Sequence, residues 1–193
     1  MAKIRVSLRD MSVFHSAVCS AQNAALIPEV GHALAVWIQH TAPDSRGILI
    51  GGLAMSFYAK PRSTEDADFL FLTKTEIPES VFGFKRHRQG AFLEHSTHVE
   101  IEVTAPEAIN LPHLVAEKVY ATAKTFGDLK VASLDALIVL KLFGADNPKR
   151  HFKDLGDISI LLEANPRHTF DHSYWSLSPK HESFLASVQE SLA

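Results

Sequence analysis

Two aspartates one residue apart, Asp66 and Asp68, lead into the apolar run Phe69 to Leu72, and two glycines, Gly51 and Gly52, follow the apolar run Ile48-Leu49-Ile50. Alternate residues of a strand face the same way, so both carboxylates share one face, with Cα atoms about 6.5 Å apart. Like charges so placed repel unless a cation lies between them. Hard oxygen donors select Mg2+ or Mn2+, and a pair of such ions about 3.5–4 Å apart serves in-line phosphoryl transfer. A Gly-Gly step permits a tight turn into a helix, whose first N–H groups suit a phosphate. Taken singly, Gly-Gly is a turn and Asp-x-Asp a solvated strand edge. The order strand, glycines, helix, acidic strand is what points to chemistry.

The elements that must hold these residues are legible around them. Val30, Leu34, Trp37 and Ile38 recur at helical spacing between Ile27 and His40, with Pro28 in the first turn, so a helix precedes the motif. Residues 47–50 form the strand that delivers the glycines, Leu53 to Tyr58 a short helix closed by Lys60-Pro61, and Ala67 to Leu72 the acidic strand. Residues 1–10 are open to a first strand or an extended arm. Ala91 to Glu94 and Val99 to Val103 form an antiparallel hairpin around His95-Ser96-Thr97-His98, and its second arm places Glu100 and Glu102 on one face. The aromatic and basic stretch Phe82 to Arg88 is either a solvated segment or a surface for phosphates.

A helical half follows Pro112. Leu114 to Ala123 is a helix; Ser133 caps another that is apolar nearly all round and carries Lys141 on the face of Leu134, Leu137 and Ile138. Lys141 must either run its stem along the core to water or meet an anion in a cleft. After the break at residues 144–148, a further helix places Phe152, Leu155, Ile158, Leu161 and Leu162 on its apolar side. His168 and His172 fall in a loop after Asn165-Pro166, and Ser178-Pro179 opens a final short helix.

At 193 residues the chain is one domain or a domain with a small appendage, and a net charge of −3 gives no overall attraction to nucleic acid. The single Cys19 excludes an internal disulfide, no stretch has the ~20 apolar residues of a membrane span, and the basic and acidic residues of the N-terminus do not form a signal peptide, so a cytoplasmic protein without a membrane partner is expected.

The combination of apolar strand, Gly-Gly, short helix and Asp-x-Asp strand resembles the DNA polymerase beta-like nucleotidyltransferase superfamily. The run Arg62-x-Thr64-x-Asp66-x-Asp68 is similar to its AbiEii-like bacterial branch, which contains toxins. Residues 141–162, KLFGADNPKRHFKDLGDISILL, resemble the C-terminal motif of that branch, a buried lysine helix followed by Arg/Lys-x-Lys-Asp-x-x-Asp. The resemblance covers about residues 47–163 and implies an α+β fold: a small mixed sheet flanked by helices within a core of residues 1–111, with a helical region over residues 112–193 packed on it.

It also implies transfer of a nucleoside monophosphate from an NTP to a hydroxyl of RNA, a protein or a small molecule, with Mg2+ or Mn2+. Asp66 and Asp68 would be the metal-binding and catalytic acids. Glu100 matches the third carboxylate, with Glu102 as its substitute on the same face; the family's usual aspartate is replaced here by a longer glutamate. Gly51, Gly52, Arg62, Lys141 and Lys153 match nucleotide-binding positions, and Thr64, Arg150, Asp154 and Asp157 supporting ones, the two aspartates orienting cations. Two alternatives stand beside this: a nucleotide-binding module of the same fold that is weak or inactive, and a toxin that works beside an antitoxin partner.

Overall fold

The computed structural model describes residues 28–42, 45–60 and 64–192, so the expected segment over residues 1–10 and Arg62 lie outside what is described. In chain order the elements are α1 (Pro28–His40), β1 (Ile48–Ile50), α2 (Gly51–Met55), β2 (Asp66–Leu70), β3 (Phe84–Arg88), β4 (Ala91–Glu94), β5 (Glu100–Thr104), α3 (His113–Thr122), β6 (Lys124–Phe126), β7 (Leu129–Val131), α4 (Leu134–Gly144), α5 (His151–Ala164), α6 (His172–Trp175) and α7 (Pro179–Ser191). Short 3-10 turns occupy Lys74–Glu76 and Pro106–Ile109. The fold is α+β.

The strands form one mixed sheet in the order β3-β4-β5-β2-β1-β7-β6. β1 runs antiparallel to β2 and parallel to β7, and β2 runs parallel to β5. The sheet therefore extends past residue 111: the β6–β7 hairpin, in the half expected to be helical, extends it beyond β1.

Alternation along β2 sends Ala67 and Phe69 into the core and Asp66 and Asp68 to the opposite face. On the core side, the Trp37 ring of α1 stacks on Phe69 at 5.6 Å and meets Phe84 at 5.6 Å and Phe92 at 5.5 Å, joining strands from both hairpin arms and the sheet centre. The buried helix α4 packs against α2, α3, α5 and α7, so it is the axis of the helical layer. Its cap is as expected, with Ser133 accepting from the Ala136 N–H at 3.2 Å.

Between β4 and β5 the turn is held by one carboxylate. Buried Glu94 accepts at Oε2 from the backbone N–H groups of Ser96 (3.0 Å) and Thr97 (2.7 Å) and from both hydroxyls at 2.7 Å. Burial alone would raise its pKa, but these four bonds outweigh it and hold the carboxyl at about 2.

Three local expectations change. α2 begins at Gly51, so the glycines are its first residues rather than a turn before it. His172 is not in a loop but opens α6, capped by the Asp171 side chain. Phe152 is 86% exposed, because α5 buries the stripe Asp154, Asp157, Ile158 and Leu161, and the helical turn places Phe152 on the opposite side.

Candidate active site

Parallel pairing of β2 with β5 sets Asp66 opposite Glu100 and Asp68 opposite Glu102, which gathers four carboxylates on one sheet face. Adjacent strands are about 4.8 Å apart, so each acid has another across the ladder as well as along the strand. Asp68 feels this most. Its carboxyl is pushed up to about 7, first by burial and then by the charges of Asp66 and Glu102, against the opposing pull of Lys141 and Arg150.

The glycines matter for their missing side chains. Gly51 has φ +70°, and a Cβ there would fall 1.9 Å from Asp68 Oδ2, so only glycine lets the chain turn over that carboxylate. A Cβ on Gly52 would come 3.1 Å from Thr64 Oγ1, and Thr64 in turn donates to Asp66 Oδ1 at 3.0 Å.

Above the acids lies a cleft of two lobes, each about 470 Å³, which share Gly51, Asp68, Glu102, Lys141 and Arg150 in their walls. One lobe is polar and adds Gly52, Thr64, Glu65, Asp66 and Lys153. The other adds the apolar Ile50, Val103, Leu111, Leu140 and Phe143, with Arg88 at its wall. Charge and apolar surface thus meet at Asp68.

Lys141 does not reach water past the core: it is 5% exposed and donates to Asp154 Oδ1 at 3.1 Å and Asp157 Oδ2 at 2.6 Å. Both aspartates are buried, and Arg150 Nε reaches Asp154 Oδ2 at 3.0 Å from one turn earlier. Gly144 makes room for this packing of α4 on α5, since a Cβ there would come 2.5 Å from Asp154 Oδ2. The aspartates therefore hold cations and do not line the cleft.

The structure brings Gly51, Gly52, Thr64, Asp66, Asp68, Lys141, Arg150 and Lys153 to one cleft. Of the two glutamates it is Glu102 that lines both lobes; Glu100 lines neither and is paired with Arg88. The register decides this, because Glu102 stands opposite the inner aspartate and Glu100 opposite the outer.

Arg88 ends the basic stretch expected to be either solvated or a surface for phosphates, and it turns instead to the acids of the site. It donates to both Glu100 and Glu102. Its aim depends on a register shift between Arg86 and Arg88, a bulge that period-2 alternation cannot foresee.

The donor set fits a hard divalent cation: every side chain on the acidic wall offers oxygen, and Gly51 leaves the approach to Asp68 open. Among the described residues, no group of three or more acidic, His or Cys side chains is placed to hold a metal ion as it stands. Among the described residues, no helix is long and apolar enough to cross a membrane. Compared with models of known protein families and with curated proteins, the chain finds no match.

Proposed function

We propose that this chain is a metal-dependent nucleotidyltransferase that moves a nucleoside monophosphate from an NTP to a hydroxyl acceptor. The observation that carries this reading is the row of Asp66, Asp68 and Glu102 beneath a glycine turn, in a cleft whose other wall holds Lys141, Arg150 and Lys153. Asp66, Asp68 and Glu102 would hold Mg2+ or Mn2+. When bound, such ions supply charge neutralisation at the phosphates and at the attacking and leaving oxygens.

The chain's own residues set the rest. Gly51 and Gly52 keep side chains away from Asp68 and Thr64, so a triphosphate can lie against the backbone there. Lys153 and Arg150, on the polar lobe, face it with positive charge. Lys141, fixed by Asp154 and Asp157, presents its ammonium to the wall shared by both lobes, which suits it to fix a phosphate position. The apolar lobe would take the uncharged part of a substrate. Asp68 binds a proton readily, and a cation placed beside it would release that proton.

One observation favours a second reading, a nucleotide-binding module with slow turnover: Glu102 already has a cationic partner in Arg88. The test is transfer of label from each of four α-labelled NTPs to total RNA or to a protein mixture, with Mg2+, by wild type and by Asp66→Asn with Asp68→Asn. Magnesium-dependent labelling lost in the double variant is the expected result. NTP binding without labelling would favour the second reading, and no binding of any NTP would overturn both.

A further inference from the structure

The sheet registers place Arg88 with unusual economy. Arg86 pairs with Phe92, but Arg88 pairs with Ala91, the next residue back along β4, so His87 is the extra residue of a bulge. Without it, period-2 alternation would leave Arg88 on the side of Phe84 and Arg86, where Arg86 lies over the Phe92 ring at 5.3 Å. With it, Arg88 joins a row that runs across five strands: Arg88, Ala91, Glu102, Asp68 and Ile50.

Ala91 is the small residue in that row. It is fully buried and presents only a methyl group between β3 and β5, so the arginine can cross it. Two strand spacings are about 9.6 Å, a distance that an arginine and a glutamate reach together. The guanidinium donates to Glu102 beside it and to Glu100 one step along the same face. Its side chain is nonetheless 54% exposed, so it can leave without opening the core.

We propose that Arg88 is a tethered substitute cation: it neutralises Glu100 and Glu102 until a divalent ion takes Glu102, so metal binding must displace it. Glu100 then has its own part, as the anchor that keeps the released guanidinium beside the cleft. Arg88 is on this account a positioning residue that sets the metal concentration at which the site fills. The inference rests on the proposed metal-dependent reading and adds to it a competition between an internal and an external cation.

The experiment measures Mn2+ binding to the full chain by electron paramagnetic resonance, for wild type, Arg88→Gln, Arg88→Lys and Glu100→Gln, each with its melting temperature. Arg88→Gln is expected to bind Mn2+ about tenfold more tightly, the scale on which partners of metal ligands act. Arg88→Lys, which keeps the charge on a shorter-reaching and more strongly hydrated ammonium, should fall between it and wild type. Glu100→Gln removes the partner that receives the released guanidinium, so Arg88 stays on Glu102 and Mn2+ binding should weaken modestly; the same change made on top of Arg88→Gln should matter much less, whereas loss of a metal ligand would cost as much in both backgrounds. An affinity that is unchanged or weaker in Arg88→Gln, or a loss on Glu100→Gln that is as large with Arg88→Gln present as without it, overturns the inference while leaving the metal-dependent reading in place. If Arg88→Gln melts early, Arg88→Lys decides by the same criterion. Absence of Mn2+ binding in every variant overturns both.

Discussion

The acids of β2 and β5 and the acids of α5 differ in how they are compensated. Asp154 and Asp157 are buried against Lys141 and Arg150, with as many cations as carboxylates. On the sheet face, Asp66, Asp68, Glu100 and Glu102 are four acids, and among the described residues the ion pairs to them come from Arg88 alone. The first group is complete in itself and joins two helices. The second has charge left over in a cleft, which is the feature that the proposed metal-dependent reading draws on.

That contrast breaks if the two groups respond alike to mutation. Lys141→Met leaves two buried aspartates without their ammonium and should cost about 3–5 kcal/mol in urea unfolding. Replacing Lys141, Asp154 and Asp157 together by Met, Leu and Leu should recover much of that loss, because no unpaired buried charge remains. If the single variant costs under ~1 kcal/mol, the network is not what holds α4 to α5.

Asp68→Asn should act in the opposite direction. The folded protein keeps a proton on Asp68 up to about 7, whereas the unfolded chain releases it near 3.8. The folded state thus binds more protons in that window, and stability of the metal-free protein falls as pH rises from about 4 to 7. At ~1.4 kcal/mol per unit the fall is up to about 4 kcal/mol. Denaturant midpoints at pH 5 and pH 8 should differ in wild type, differ less with Mg2+ present, and converge in Asp68→Asn. The same variant, though more stable at pH 8, should lose about a hundredfold or more of any transferase activity.

Two smaller effects sharpen the comparison. Gly51→Ala puts a methyl group into the Asp68 carboxylate at a backbone angle that favours glycine; a loss of about 1–3 kcal/mol is expected by thermal unfolding, together with weaker metal binding. Glu94 is a third kind of acid, satisfied by hydroxyl and N–H donors instead of cations. Its depressed pKa stabilises the fold above about 4.5, and that contribution fades as pH falls toward 2. Glu94→Gln should cost about 1–2 kcal/mol at pH 7 and little at pH 2, read by denaturant midpoints.

Much of the site could be seen in the sequence because local rules decide it. The glycines after an apolar strand, the alternation of Asp66 and Asp68, the Ser133 cap and a lysine on an otherwise apolar helix are all set by residues within a few positions of each other. Pairings between distant segments were not visible. Spacing puts Glu100 and Glu102 on one face but cannot say which of them stands opposite Asp68; the parallel register does. The basic stretch ending at Arg88 was legible, but not that Arg88 turns to the acids, because one bulged residue reverses its side of the strand. Phe152 faces solvent because the stripe that α5 buries includes two aspartates, Asp154 and Asp157, and so is rotated away from the side its apolar residues mark. The strands β6 and β7 have three residues each, too few for a periodic signal.

That last hairpin bears on how the protein can be divided. Leu49 pairs with Val131, and the Ala132 N–H donates to the Leu49 carbonyl at 3.0 Å, so the strand that leads into the glycines is flanked on one side by chain from beyond residue 111. A fragment ending at Leu111 would carry the acids and the glycines but leave Ile48–Ile50 as a bare apolar rim with unpaired amides. Such a rim invites pairing between copies, so the fragment should precipitate where the full chain does not.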